Sequence, residues 1–127
     1  MKTRTDTLFS APAALVAAAA FVLGAGVAHA QTPSPQNLAK FNVQYAATNA
    51  RVAQEVCGVD VSTISSFKAS VRKNFAQDPD FENDWSTGWQ KASRLVNGML
   101  QMKASSPTEF AQQKPTICND VQQKVKS

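Results

Sequence analysis

The stretch from Asp78 to Met102 constrains this chain most, because it holds both tryptophans and the clearest helical pattern. At about 100° per residue, Phe81, Trp85, Trp89, Ala92, Leu95, Val96, Met99, Leu100 and Met102 fall in one arc. Asn83, Ser86, Thr87, Gln90, Arg94, Asn97 and Gln101 fall opposite. Such a stripe must be buried, so the spacing predicts one continuous helix at the centre of a bundle. Its start is marked by Asp78 as N-cap and Pro79 in the first helical position. Asp80, Glu82 and Asp84 come next, near the positive end of the helix dipole. Gly88 lies inside the apolar arc and lowers helix propensity by about 1 kcal/mol relative to alanine, which predicts a neighbouring helix in close approach.

The neighbours are marked by the same periodicity. Gln31 to Gln36, with Pro33 and Pro35, reads as a flexible arm, and Ser34 can cap the first helix. Leu38, Phe41, Tyr45, Val52 and Val56 then recur at helical spacing, flanked by Ala46 and Ala53, and predict a helix from Pro35 to Cys57 ending at Gly58. Asp60 or Ser62 can cap a second helix with Ile64, Phe67, Val71 and Phe75 as its stripe. Beyond the central stretch, Ser106-Pro107-Thr108-Glu109 has the form of a capping box opening a short helix with Phe110 and Ala111. Pro115 is expected to interrupt it, and Ile117, Val121 and Val125 mark a last helix. No stretch alternates as a strand does. The fold class is therefore all-α, a small bundle of four to five helices.

The first thirty residues read as a secretory signal peptide that is cleaved. Lys2 and Arg4 precede an apolar run from Ala11 to Val27, and Ala28-His29-Ala30 supplies the small residues of a cleavage site. The expected location is periplasmic or secreted. Removing 30 of 127 residues leaves 97, enough for one domain, with 11 basic and 8 acidic side chains. That mild excess, without a basic run, gives no reason to expect nucleic acid.

Two cysteines remain, Cys57 and Cys118, in a compartment where disulfides persist. A bridge between them would fasten the first and last helices together. Closing a loop of about sixty residues would stabilise the fold by roughly 4 kcal/mol in the chain-entropy model.

Chemistry is harder to find. The only histidine, His29, belongs to the signal, so the remaining chain has no Ser-His or Cys-His pair and no imidazole ligand. Asp78 to Asp84 begins like a calcium loop. Asn83 then stands where a glycine makes the turn, and Trp89 where a glutamate closes the shell. Asp80 and Asp84 form a carboxylate pair that reads as exposed, without the burial that shifts a pKa for catalysis. No metal, cofactor or catalytic residue is expected.

Two sets of residues suggest binding. Asn42 and Asn49 fall near the centre of the first helix's apolar arc. They would either line a cavity or contact a partner, or else pair between helices or mark a partly exposed face. Lys68 and Arg72 flank the stripe of the second helix and could receive an acidic partner or a lipid headgroup, although snorkelling at the core edge is commoner. Phe81, Trp85, Trp89, Met99 and Met102 could line a pocket for an apolar ligand, though core is the commoner fate of such a stripe.

The layout of export signal, about a hundred helical residues and one disulfide is similar to that of the small periplasmic acid-stress chaperones. No motif corresponds, so no family is assigned. The expectation is a non-enzymatic protein that binds a macromolecular partner, most simply another protein, as an inhibitor, immunity partner, chaperone or effector. No stable membrane insertion is expected after signal cleavage. The alternative is a carrier of a small apolar ligand.

Overall fold

The computed structural model describes residues 32–127 and contains five helices: α1 (Pro35–Glu55), α2 (Val61–Asn74), α3 (Phe81–Lys91), α4 (Ser93–Ser105) and α5 (Pro107–Lys126). No strand occurs among the described residues. The expected signal at residues 1–30 lies outside them, as does Gln31. Among the described residues, no helix is long and apolar enough to cross a membrane.

The ends of α1 obey its sequence. Ser34, in an extended conformation, accepts from the Asn37 N–H at 3.2 Å, and Pro35 occupies the first turn. Pro35 and Gln36 are therefore helical, and the arm is shorter than expected, with Thr32 to Ser34 exposed. At the other end Gly58 takes a φ of 72°, and the Val59 N–H reaches the Ala53 carbonyl at 2.9 Å, closing the helix with a left-handed turn.

The buried face of α1 departs from expectation at its N-terminal end. Leu38, Phe41 and Tyr45 stand largely in solvent, and Ala39, Val43, Ala46, Ala47, Ala50 and Ala53 are buried in their place. The reason is the approach of α3. A Cβ added to Gly88 would lie 2.1 Å from the Gln44 carbonyl oxygen and 2.6 Å from its Cα, so the two backbones nearly touch. Only a small-residue face allows that, and large side chains there would hold α3 away. The Thr48 hydroxyl donates to the Gly88 carbonyl at 3.1 Å and fixes the crossing.

Asp60 caps α2, accepting from the Thr63 N–H at 2.8 Å and the Thr63 hydroxyl at 2.7 Å. These bonds, with that from Ser62 the largest, hold its carboxyl well below the usual range.

The central stretch is two helices, not one. The chain bends at Ala92, and the Trp89 carbonyl, which a continuous helix would pair with the Ser93 N–H, accepts from Arg51 Nη1 at 2.9 Å. The bend turns the stripe, so Val96 and Met99 are buried while Leu95 and Leu100 are exposed. Asp78 is not the cap: α3 starts at Phe81, and Asp78 Oδ1 accepts from the Asp80 N–H at 3.0 Å in a local turn.

Pro115 does not interrupt α5. The proline and Ala111, whose carbonyl loses its bond, are both exposed, so water can satisfy that oxygen. Phe110 on one side of the proline, and Cys118, Val121 and Val125 on the other, hold the helix to the core. The capping box is not formed either, since Glu109 takes Gln113 as its partner at 3.3 Å.

Cys57, just beyond α1, is bonded to Cys118 in the middle of α5, with Cα atoms 5.4 Å apart and a sequence separation of 61. The staple joins the first and last helices, with α2, α3 and α4 inside the closed loop. The result is a disulfide-stapled all-α bundle.

Candidate binding surface

Asn42 and Asn49 share a groove of about 270 Å³ between α1, α2 and the end of α5, with Tyr45, Val71, Phe75 and Lys124 among its walls. Asn49 is buried and donates through Nδ2 to the Tyr45 carbonyl of its own helix at 3.0 Å, while Asn42 is half-buried. The two amides thus meet at one groove.

Tyr45 forms its edge. Lys124 Nζ donates to the phenol oxygen at 2.8 Å and to Asp120 at 2.8 Å, and lies 5.2 Å from the ring. The bond from Lys124 is the largest cause that lowers the pKa of Tyr45. Asp120, then Tyr45, raises that of Lys124.

Above this groove α1 carries an apolar ridge. Leu38 is 46%, Phe41 68% and Tyr45 49% exposed. On the α3 side, Phe41 and Tyr45 border a shallower groove of about 180 Å³ with Lys91, whose ammonium donates to the Gln44 amide oxygen at 2.7 Å. Sequence reasoning placed these apolar residues in the core, so it missed the ridge.

Lys68 and Arg72 stand on the other side of α2. Lys68 Nζ meets Glu82 Oε2 at 2.6 Å, and Arg72 Nη1 meets Oε1 at 2.5 Å. Lys68 lies 5.5 Å from the Trp85 ring and Arg72 5.3 Å from that of Phe81. The carboxylate facing this basic edge belongs to α3, and its pKa is lowered, chiefly by the bond from Lys68. Two cations share this one carboxylate.

The five residues of the apolar stripe do not gather around one cavity. Phe81, Trp85 and Met99 belong to the core, and Trp89 and Met102 pack against it. Phe81 stacks on Trp85 at 6.0 Å, and Phe67 tilts against Trp85 at 6.3 Å. Phe81 also borders a groove of about 420 Å³, whose other walls include Arg72, Phe75, Asp78, Asp80 and Glu82.

The acidic run divides. Asp84 is 2% exposed, not exposed as expected, because it faces α1, where Gln44 Nε2 donates to its Oδ1 at 2.7 Å and Lys40 lies 3.6 Å away. Asp78 is buried too, and its Oδ2 has no hydrogen-bond partner. Asp80 and Glu82 are exposed. Among the described residues, no three His, Cys, Asp or Glu side chains are grouped to share a metal ion.

Arg51 was also missed. Its guanidinium bonds Glu55 at 2.7 Å, the Trp89 carbonyl at 2.9 Å and the Ser93 hydroxyl at 2.5 Å, and lies 5.8 Å from the Trp89 ring. Glu55 is a local partner at i,i+4, but the acceptors at Trp89 and Ser93 exist only once α3 ends, so no local pattern marks them.

Comparison of the chain with family models, curated proteins and solved structures finds no match in any of the three.

Proposed function

We propose that this chain is a small exported protein that acts non-enzymatically, by binding a macromolecular partner in the periplasm or outside the cell. The partner is a protein, and the role is of the inhibitor, immunity, chaperone or effector kind. The ridge of Leu38, Phe41 and Tyr45 carries this reading. Three large apolar side chains, contiguous along one helix and 46–68% exposed, are a surface that gains by being covered. Asn42 and Asn49 at the groove below, and the basic edge of Lys68 and Arg72, add polar contacts to that role. The leader-like residues 1–30 and the disulfide both suit an oxidising compartment.

Affinity capture with the exported protein from its native envelope or medium, with partners identified by mass spectrometry, tests the reading. Stoichiometric recovery of one protein is expected. The same eluate free of macromolecules would remove it.

The alternative, a carrier of a small apolar ligand, draws support from the groove beside Phe81, whose volume lies in the range of about 300–1,000 Å³ typical of ligand sites. Its carboxylate walls and the core positions of Trp85 and Met99 favour the macromolecular reading. Saturable quenching of tryptophan emission by fatty acids or aromatic ligands, with a rise in Tm, would reverse the order.

A further inference from the structure

The ridge and the groove beneath it are continuous through Tyr45, which borders both. The groove is open and, at about 270 Å³, below the usual range for a free ligand, so it suits one large side chain inserted from outside. Its apolar floor comes from Ala46, Phe67, Val71 and Phe75. On either side of Tyr45 stands a lysine. Lys91 donates to a neutral amide oxygen, and Lys124 is shared between Asp120 and the phenol oxygen.

We propose that this surface binds an acidic amphipathic helix of a partner protein. One apolar anchor of that helix enters the α1–α2–α5 groove, its apolar face runs over Phe41 and Leu38, and its carboxylates meet Lys91 and Lys124. The inference rests on the binding-module reading above and names the chemistry of the partner. Helix-in-groove recognition needs spaced apolar anchors and a complementary rim, and both are present. The charge at the rim is complementary through Lys91, which is bonded to the neutral Gln44 amide, whereas Lys124 is already paired with Asp120. A second copy of the chain fits less well. The exposed ridge offers on the order of a few hundred Å², against roughly 800 Å² per partner in a stable pair, and a copy would bring like-charged lysines. A bound helix lies along the ridge, fills the groove and reaches both cations.

The test is a labelled synthetic helical peptide with leucine and phenylalanine on one face and glutamate on the other, titrated against the exported protein by fluorescence anisotropy. A matched peptide with lysine in place of glutamate is the charge control. The glutamate peptide is expected to bind saturably, and the lysine peptide at least about tenfold more weakly. Phe41→Ser and Lys91→Glu are each expected to weaken the glutamate peptide at least about tenfold, with the circular dichroism spectrum unchanged. Leu100→Ser, at an exposed apolar site on α4, should leave it unaltered. Equal binding of the two peptides, indifference to Phe41→Ser, preference for phosphatidylglycerol vesicles, or a dimer dissolved by Phe41→Ser would each overturn the proposal. Photo-cross-linkers at Phe41 and at Lys68 in the native envelope separate the two levels. A partner caught at Lys68 alone sinks the groove proposal and keeps the binding module. No partner at either site, together with a silent peptide, sinks both.

Discussion

Val52 and Val56 are 2% and 7% exposed, whereas Leu38 and Tyr45, on the same side of the same helix, are 46% and 49% exposed. Leu38, Asn42, Tyr45, Asn49, Val52 and Val56 form one seam with alternating spacings of four and three residues. Its C-terminal half is buried beside the disulfide to α5, and its N-terminal half lies at an open groove where Lys124, near the end of α5, reaches Tyr45. The seam therefore identifies a face, and the rest of the fold decides how much of that face is covered. An amphipathic stripe longer than its neighbours is a core at one end and a contact surface at the other.

The contrast can be broken hardest at the staple. Replacing Cys57 and Cys118 together by alanine is expected to lower stability by about 4 kcal/mol in chemical denaturation, because the loop of the unfolded chain is released. A loss below about 1 kcal/mol would mean that α5 stays in place through packing alone. Next comes the opposite face of α1. Gly88→Ala is expected to cost about 3 kcal/mol despite a gain of about 1 kcal/mol in helix propensity, since the new methyl meets the backbone of Gln44. Unchanged stability would show that α3 can move away at no cost.

The most direct comparison sets one seam residue against another. Val52→Ala should cost about 2 kcal/mol in the covered half, and Phe41→Ala should stay within about 0.5 kcal/mol at the ridge, although it removes the larger side chain. Equal losses would erase the distinction. The smallest effect is spectroscopic and reads the boundary. Tyr45 is the only tyrosine, so phenolate absorbance reports it alone. Its titration midpoint should lie below the ordinary tyrosine value, and Lys124→Gln should move it upward by removing the donor to the phenol oxygen. A midpoint that ignores this change would place Lys124 elsewhere in solution.

Local signals are what the sequence made legible. Ser34, Asp60 and Gly58 act within one helical turn, and the structure uses each where its chemistry points. The bridge from Cys57 to Cys118 and the close approach at Gly88 were also readable, because an even cysteine count and a misplaced glycine each imply a neighbour. What escaped depends on contacts distant in sequence. Asp78 and Ser106 have the residue type of a cap without the geometry, and Pro115 is tolerated because packing holds α5 on both sides of it. The end of α3 at Ala92 has no signal in its own residues. Of the candidate site, the amide pair Asn42 and Asn49 was visible by its oddity in an apolar arc, and the ridge was not, because periodicity gives Phe41 and Val52 the same weight.

The bend at Ala92 sets how far the chain can reach. The residues of α3 and α4 as one straight helix would span ~37 Å, longer than the ~31 Å of α1. Arg51 holds both sides of that break. Its planar fork offers donors in fixed directions, to the freed Trp89 carbonyl and to the Ser93 hydroxyl at the head of the next helix. A lysine could offer only one compact charge to that pair. A residue of α1 thus ties the end of α3 to the head of α4, at a position where the segment between them carries no turn signal of its own.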